Sequence, residues 1–158
     1  KMLDTLGVNR SDYIQADGSG LSRHNFVTPT ALVHLLSQMD MTQLNISGVQ
    51  WDGPNGGANS GGTARASPQG TAVGVSPWRE LLPLAGRSGT LSDRFLGTPL
   101  EGVLRAKTGT LGGISALSGY VRRCTFSMIA NNAPVSPTVL RRALDDIALA
   151  FGTDPACA

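Results

Sequence analysis

The sequence predicts an α/β fold of the α+β kind, an antiparallel sheet with a C-terminal helix packed on one face. Three apolar runs, at 103–110, 113–121 and 124–130, are joined by connections too short for a parallel crossover, so they should pair as an antiparallel meander. After them, Leu140, Ala143, Leu144, Ile147, Ala148 and Phe151 recur at helical spacing, with Arg141, Arg142, Asp145 and Asp146 assigned to the wet side. A second helical stripe, Leu32, Leu35, Leu36 and Met39, follows Thr28 as cap and Pro29 at the first helical position.

Along the chain, Met2, Leu3 and Leu6 ahead of Gly7 read as the last turn of a helix. Tyr13 to Gln15 reads as a short strand. The turn after it uses Asp17, Gly18 and Gly20 for tight or left-handed backbone. From 53 to 76 the composition shifts to Gly, Pro, Ser, Asn and Ala, which predicts a flexible surface insertion. Ordering such a segment costs about 1 to 2 kcal/mol per residue against little buried apolar surface. Ser76 then caps a helix with Pro77 at its first position and Gly86 closing it, and Trp78, Leu81 and Leu82 are expected to pack inward. Ser136 and Pro137 open the last helix, and Gly152 is placed beyond its end.

At 158 residues and 41% apolar composition the chain suits one domain. Its net charge is +2 and its eleven arginines are scattered, so no stripe for nucleic acid is present. No apolar run approaches the roughly 20 residues that span a bilayer. His24 and His34 lack a ligand cluster and Cys124 and Cys157 fit no metal spacing, so neither metal nor cofactor is expected. Six strand residues from Cys124 rise about 20 Å. A helix of about fifteen residues returns about 22 Å. That geometry brings Cys157 back to Cys124 and predicts a disulfide, two buried free thiols being the alternative.

The stretch "RAKTGTLGGISALSGYV", 105–121, holds Lys107, one of only two lysines. Alone, an edge lysine reads as a solubilising charge that discourages aggregation. Here it lies on a strand flanked by glycines, where another backbone can approach and main-chain groups stay free to pair with an extended peptide.

Lys107-Thr108-Gly109 matches the third motif of the serine penicillin-recognising enzymes, whose other two motifs are SxxK and SxN. Further blocks, "ADGSGLSRHNFVTP" at 16–29, "LLPLAGRSGTL" at 81–91 and the closing helix, extend the likeness. Together they resemble the C-terminal part of the D-alanyl-D-alanine carboxypeptidases of the class C, low-molecular-mass penicillin-binding proteins, the peptidase S13 type. Ser88 departs from the acidic residue common in that family's "AGxDGTL".

The resemblance implies a penicillin-binding protein or serine β-lactamase-like transpeptidase fold, residues 1–158 being the C-terminal part of one catalytic domain. It implies acyl transfer by a serine on peptidoglycan stem peptides ending in D-Ala-D-Ala, as a carboxypeptidase with D,D-endopeptidase activity left open, sensitivity to β-lactams, and an extracytoplasmic location. Lys107 would be the catalytic cation. Thr108 would bind the terminal carboxylate, Gly109 would keep the strand clear, and Thr110 would give its N–H to the oxyanion and its hydroxyl to the carboxylate. Asp17 to Arg23 is read as a structural turn, since Ser22 and Asn25 do not have SxN spacing. Position 104, where SxxK would require serine ahead of Lys107, is leucine. The chain is therefore expected to need upstream sequence for catalysis and to be inactive alone. The competing reading is a non-catalytic peptidoglycan-binding or scaffold module of the same fold.

Overall fold

A computed structural model describes residues 2–41 and 76–157. In chain order the elements are α1 (Met2–Thr5), β1 (Tyr13–Ile14), β2 (Phe26–Val27), α2 (Pro29–Met41), α3 (Pro77–Glu80), β3 (Arg105–Leu111), β4 (Ile114–Val121), β5 (Cys124–Ala130) and α4 (Pro137–Gly152). The insertion expected over 53–76 lies, apart from Ser76, outside the described residues.

β3, β4 and β5 form the expected antiparallel meander, in that spatial order. Its first strand begins at Arg105 rather than 103, because Val103 and Leu104 both donate to Leu100 O and close a turn. Pleating sorts the side chains. Ala106, Leu117, Val121 and Phe126 pack with Leu144 and Ala148 of α4 and with Leu91, Phe95, Leu100 and Leu104 of the preceding connection. Tyr120, of opposite parity to Val121, donates its hydroxyl to Leu36 O of α2 at 2.6 Å. A smaller cluster of Val8, Tyr13 and Ala31 joins α1, β1 and α2.

Local chemistry sets the boundaries. α1 ends as Gly7 predicts: its N–H donates to Asp4 O and that of Val8 to Leu3 O, both at 3.0 Å, with Gly7 at φ +75°. Thr28 Oγ1 caps α2 by accepting from Ala31 N–H, and Ser136 caps α4 by accepting from Val139 N–H. Past α4, Cys124 and Cys157 form the disulfide, their Cα atoms 5.2 Å apart. Arg122 and Arg123, in the β4–β5 turn, donate to Gly152 O and to Ala156 O, so cations meet the carbonyls at the helix end.

Several readings are corrected. The helix opened by Pro77 stops at Glu80, because Pro83 offers no N–H and disfavours helical backbone before it. Leu84 instead bridges to Arg105, and Leu81 points outward, 56% exposed. Ser76 makes no side-chain cap. On α4 the buried line is Leu140, Leu144, Ala148 and Gly152, while Ala143 and Ile147 are exposed. Gly152 is inside the helix because its missing side chain lets Leu100 and Val121 close over it. Asp145 leaves the wet side to pair with the buried Arg94. β2, which pairs Val27 with Tyr13 and Phe26 with Ile14, was not foreseen. Two residues are too short to show alternation.

Candidate active site

β3 holds Lys107, Thr108, Gly109 and Thr110 in one register, opposite Ser118, Leu117, Ala116 and Ser115 of β4. Among the described residues, the outer margin of β3 is covered only at its start. Ala106 N–H donates outward to Pro83 O at 3.0 Å, and Ala85 N–H donates to Leu104 O at 2.9 Å. Because main-chain groups alternate sides along a strand, those of Thr108 and Thr110 point the same outward way. No described strand lies beyond them.

Side chains divide by the same parity. Lys107 and Gly109 share one face, where a Cβ on Gly109 would stand 3.3 Å from that of Ala116. Lys107 is exposed, and its Nζ donates to Thr108 O at 2.8 Å, folding over the open margin. Thr108 and Thr110 take the other face. Thr108 Oγ1 donates to Thr90 Oγ1 at 2.9 Å, and both threonines border a cavity of about 260 Å³ with Thr90, Arg94, Ser115, Ala116 and Arg141. Lys107 is outside that lining. The four motif residues thus share a strand but address two faces of it.

Around the cavity, Arg94 Nε donates to Asp145 Oδ1 at 3.2 Å and its Nη2 pairs with the same carboxylate. That ion pair bolts the connection after Thr90 to α4. Ser88, despite departing from the acidic pattern, closes the turn beneath Thr90: its hydroxyl accepts from Leu84 N–H at 3.0 Å.

The block at 17–25 is a built turn. Asn25 Oδ1 accepts from Ala16 and Asp17 N–H, and Asn25 Nδ2 donates to Asp17 Oδ1. The same oxygen of Asp17 accepts from Ser19 N–H and Oγ. Chiefly through Asn25, then Ser19, these donors hold the Asp17 carboxyl below the ordinary range. The turn carries Arg23 to the β3–β4 connection, its Nη2 3.1 Å from where a Gly112 Cβ would stand. Sequence reasoning found Asp17 but missed Asn25, whose spacing does not announce a second clasp. It also missed Ser115, which the parity of Leu117 and Val121 could have placed inside.

The model of the D-Ala-D-Ala carboxypeptidase 3 (S13) family matches residues 1–52 and 67–151. The chain is 32% identical over 155 residues to the penicillin-sensitive carboxypeptidase A of Dictyostelium discoideum, covering 92% of this chain and 24% of that protein. It is 37% identical over 147 residues to the D-alanyl-D-alanine carboxypeptidase of an Actinomadura species, covering 87% and 22%. Among solved structures, penicillin binding protein 4 of Haemophilus influenzae superposes with a TM-score of 0.60 at 25% identity, over 85% of this chain and 25% of that one. The same protein in complex with a β-lactam gives 0.65 at 24% identity, over 95% and 30%. The chain thus has the fold of the matching part of a penicillin-binding protein, and it spans about a quarter of the length of these relatives. On a match that runs through both the turn at 17–25 and the strand of Lys107, the chain belongs to the D-Ala-D-Ala carboxypeptidase 3 (S13) family.

Proposed function

We propose that this chain supplies the substrate-binding edge of a serine-type D-Ala-D-Ala carboxypeptidase acting on peptidoglycan stem peptides. The observation that carries the reading is the margin of β3, which no described strand covers along Thr108 and Thr110 and where the Lys107 ammonium donates to Thr108 O. An extended peptide adds to such a margin as a further antiparallel strand. Thr110 N–H then faces the carbonyl under attack, and a preorganised donor to the tetrahedral oxyanion contributes about 3 to 4 kcal/mol. Lys107 supports the proton relay, Thr108 receives the terminal carboxylate, and Gly109 leaves the peptide room.

Within residues 1–158 no serine stands three positions ahead of a lysine, so SxxK does not occur there. The attacking serine therefore comes from elsewhere in a longer protein, as the four-fold greater length of the relatives supports. That serine adds to the penultimate carbonyl, the peptide C–N bond breaks, and the terminal D-alanine leaves with a proton on its amine. Water then cleaves the acyl ester. β-Lactams occupy the same edge, in keeping with the penicillin sensitivity in the name of the Dictyostelium relative. The disulfide supports an extracytoplasmic location, and among the described residues no helix is long and apolar enough to cross a membrane.

The full-length protein should release D-alanine and take a covalent fluorescent penicillin label, while this chain alone should not be labelled. Lys107→Ala should lower release by about 100- to 10,000-fold with the circular dichroism spectrum unchanged. Full-length protein that binds the peptide without releasing D-alanine would instead establish the scaffold reading, and labelling of the isolated chain would refute the absent nucleophile.

A further inference from the structure

Pleat parity leaves an imbalance on β3. Lys107 lies on one face, while the hydroxyls of Thr108 and Thr110 lie on the other, around a cavity whose lining excludes Lys107. The charged groups bordering that cavity are Arg94 and Arg141. Asp145 neutralises Arg94, which is 8% exposed and held by both carboxylate oxygens. Arg141, on the first turns of α4, has no hydrogen bond or ion pair to any described residue. Ser115 is 5% exposed, and none of the described residues hydrogen-bonds its hydroxyl. Thr90 already accepts from Thr108, so its own proton is free to be donated outward. Among the described residues, a cation and a set of hydroxyl donors thus converge where the motif threonines point, with no carboxylate in the cavity lining.

We propose that Arg141 is a specificity-determining residue that reads the free α-carboxylate of the scissile terminal residue, with Ser115 and the motif threonines as its hydrogen-bonding partners. The inference rests on the carboxypeptidase reading and assigns the carboxylate's cation to α4 instead of Lys107. An anion entering the cavity meets an uncompensated guanidinium, and its two oxygens match the planar donor fork. A peptide that continues past the scissile bond, or ends in an amide, presents no anion there. Arg141 would then favour release of a terminal residue over internal cleavage.

The test compares two substrates on the full-length protein, an acyl-D-Ala-D-Ala peptide with a free carboxylate and the same peptide as its C-terminal amide. In Arg141→Gln, kcat/KM for the acid should fall about 10- to 100-fold, the worth of a hydrogen bond to a charged group. The amide should change less than three-fold, and Arg141→Lys should restore part of the acid rate. Equal loss on both substrates, or no loss on the acid, overturns the role of Arg141 and leaves the carboxypeptidase reading intact. An unaltered protein that hydrolyses neither substrate and takes no penicillin label overturns both.

Discussion

A methyl group at position 119 would stand 2.1 Å from Arg105 O and 2.6 Å from Ala106 Cα, both backbone atoms of the strand that carries Lys107. Neither can retreat without losing the β3–β4 register, so Gly119→Ala should cost about 3 kcal/mol or more, read from urea unfolding. The adjacent Tyr120 lies under the Arg79 guanidinium, 4.3 Å from the ring centroid. Burial, then the negative Asp40, pushes its hydroxyl up to about 12. Above pH 10 the unfolded chain releases this proton while the folded one keeps it. Stability contributed by the neutral phenol is therefore complete below pH 10 and lost as pH rises toward 12. Tyr120→Phe should flatten that decline in unfolding measurements made across the window. Residue by residue, Lys107 to Thr110 were legible because a motif is a local string. Arg94 was not, since its meaning depends on Asp145, 51 positions away.

Among the elements, α4 holds the site from behind. Its buried face is apolar apart from Asp145, which reaches Arg94 beside the cavity. Removing one partner strands a mostly buried charge, and Asp145→Ala should cost about 3 to 5 kcal/mol in chemical denaturation. The paired change Arg94→Met with Asp145→Leu should recover much of that loss, because neither charge is then left alone. Sequence periodicity located α4 and its cap correctly but set its buried face too far round. Ala143 and Ile147 fit an apolar stripe as well as Leu140 and Leu144 do, and the packing of Leu100 and Val121 against Gly152 decides between them. The helix begun at Pro77 is shorter than its composition suggests for a related reason: Leu84 pairs with Arg105 on the sheet margin.

Across the whole molecule, the disulfide ties the first residue of β5 to the 3-10 turn after α4, its cysteines 33 positions apart. Loop closure of that length removes entropy from the unfolded chain equivalent to about 4 kcal/mol. Reduction with dithiothreitol should lower stability by an amount of that order, and intact mass with and without reduction should differ by the two hydrogens of the bond. The link keeps α4 seated on the sheet, and so keeps Arg94, Arg141 and the threonine face in one place.

Alone, the sequence determined the meander, the caps of α2 and α4 and the family motif, and it brought the two cysteines within reach of each other. Each follows from backbone preference, period or a contiguous string, which act over a few residues or along elements of known rise. Only the tertiary structure decided which side of β3 each motif residue addresses, which face of α4 is buried, and that Asp145 belongs to Arg94. Those outcomes turn on pleat parity and on close packing between segments distant in the chain, and no local pattern encodes the fit of one surface to another.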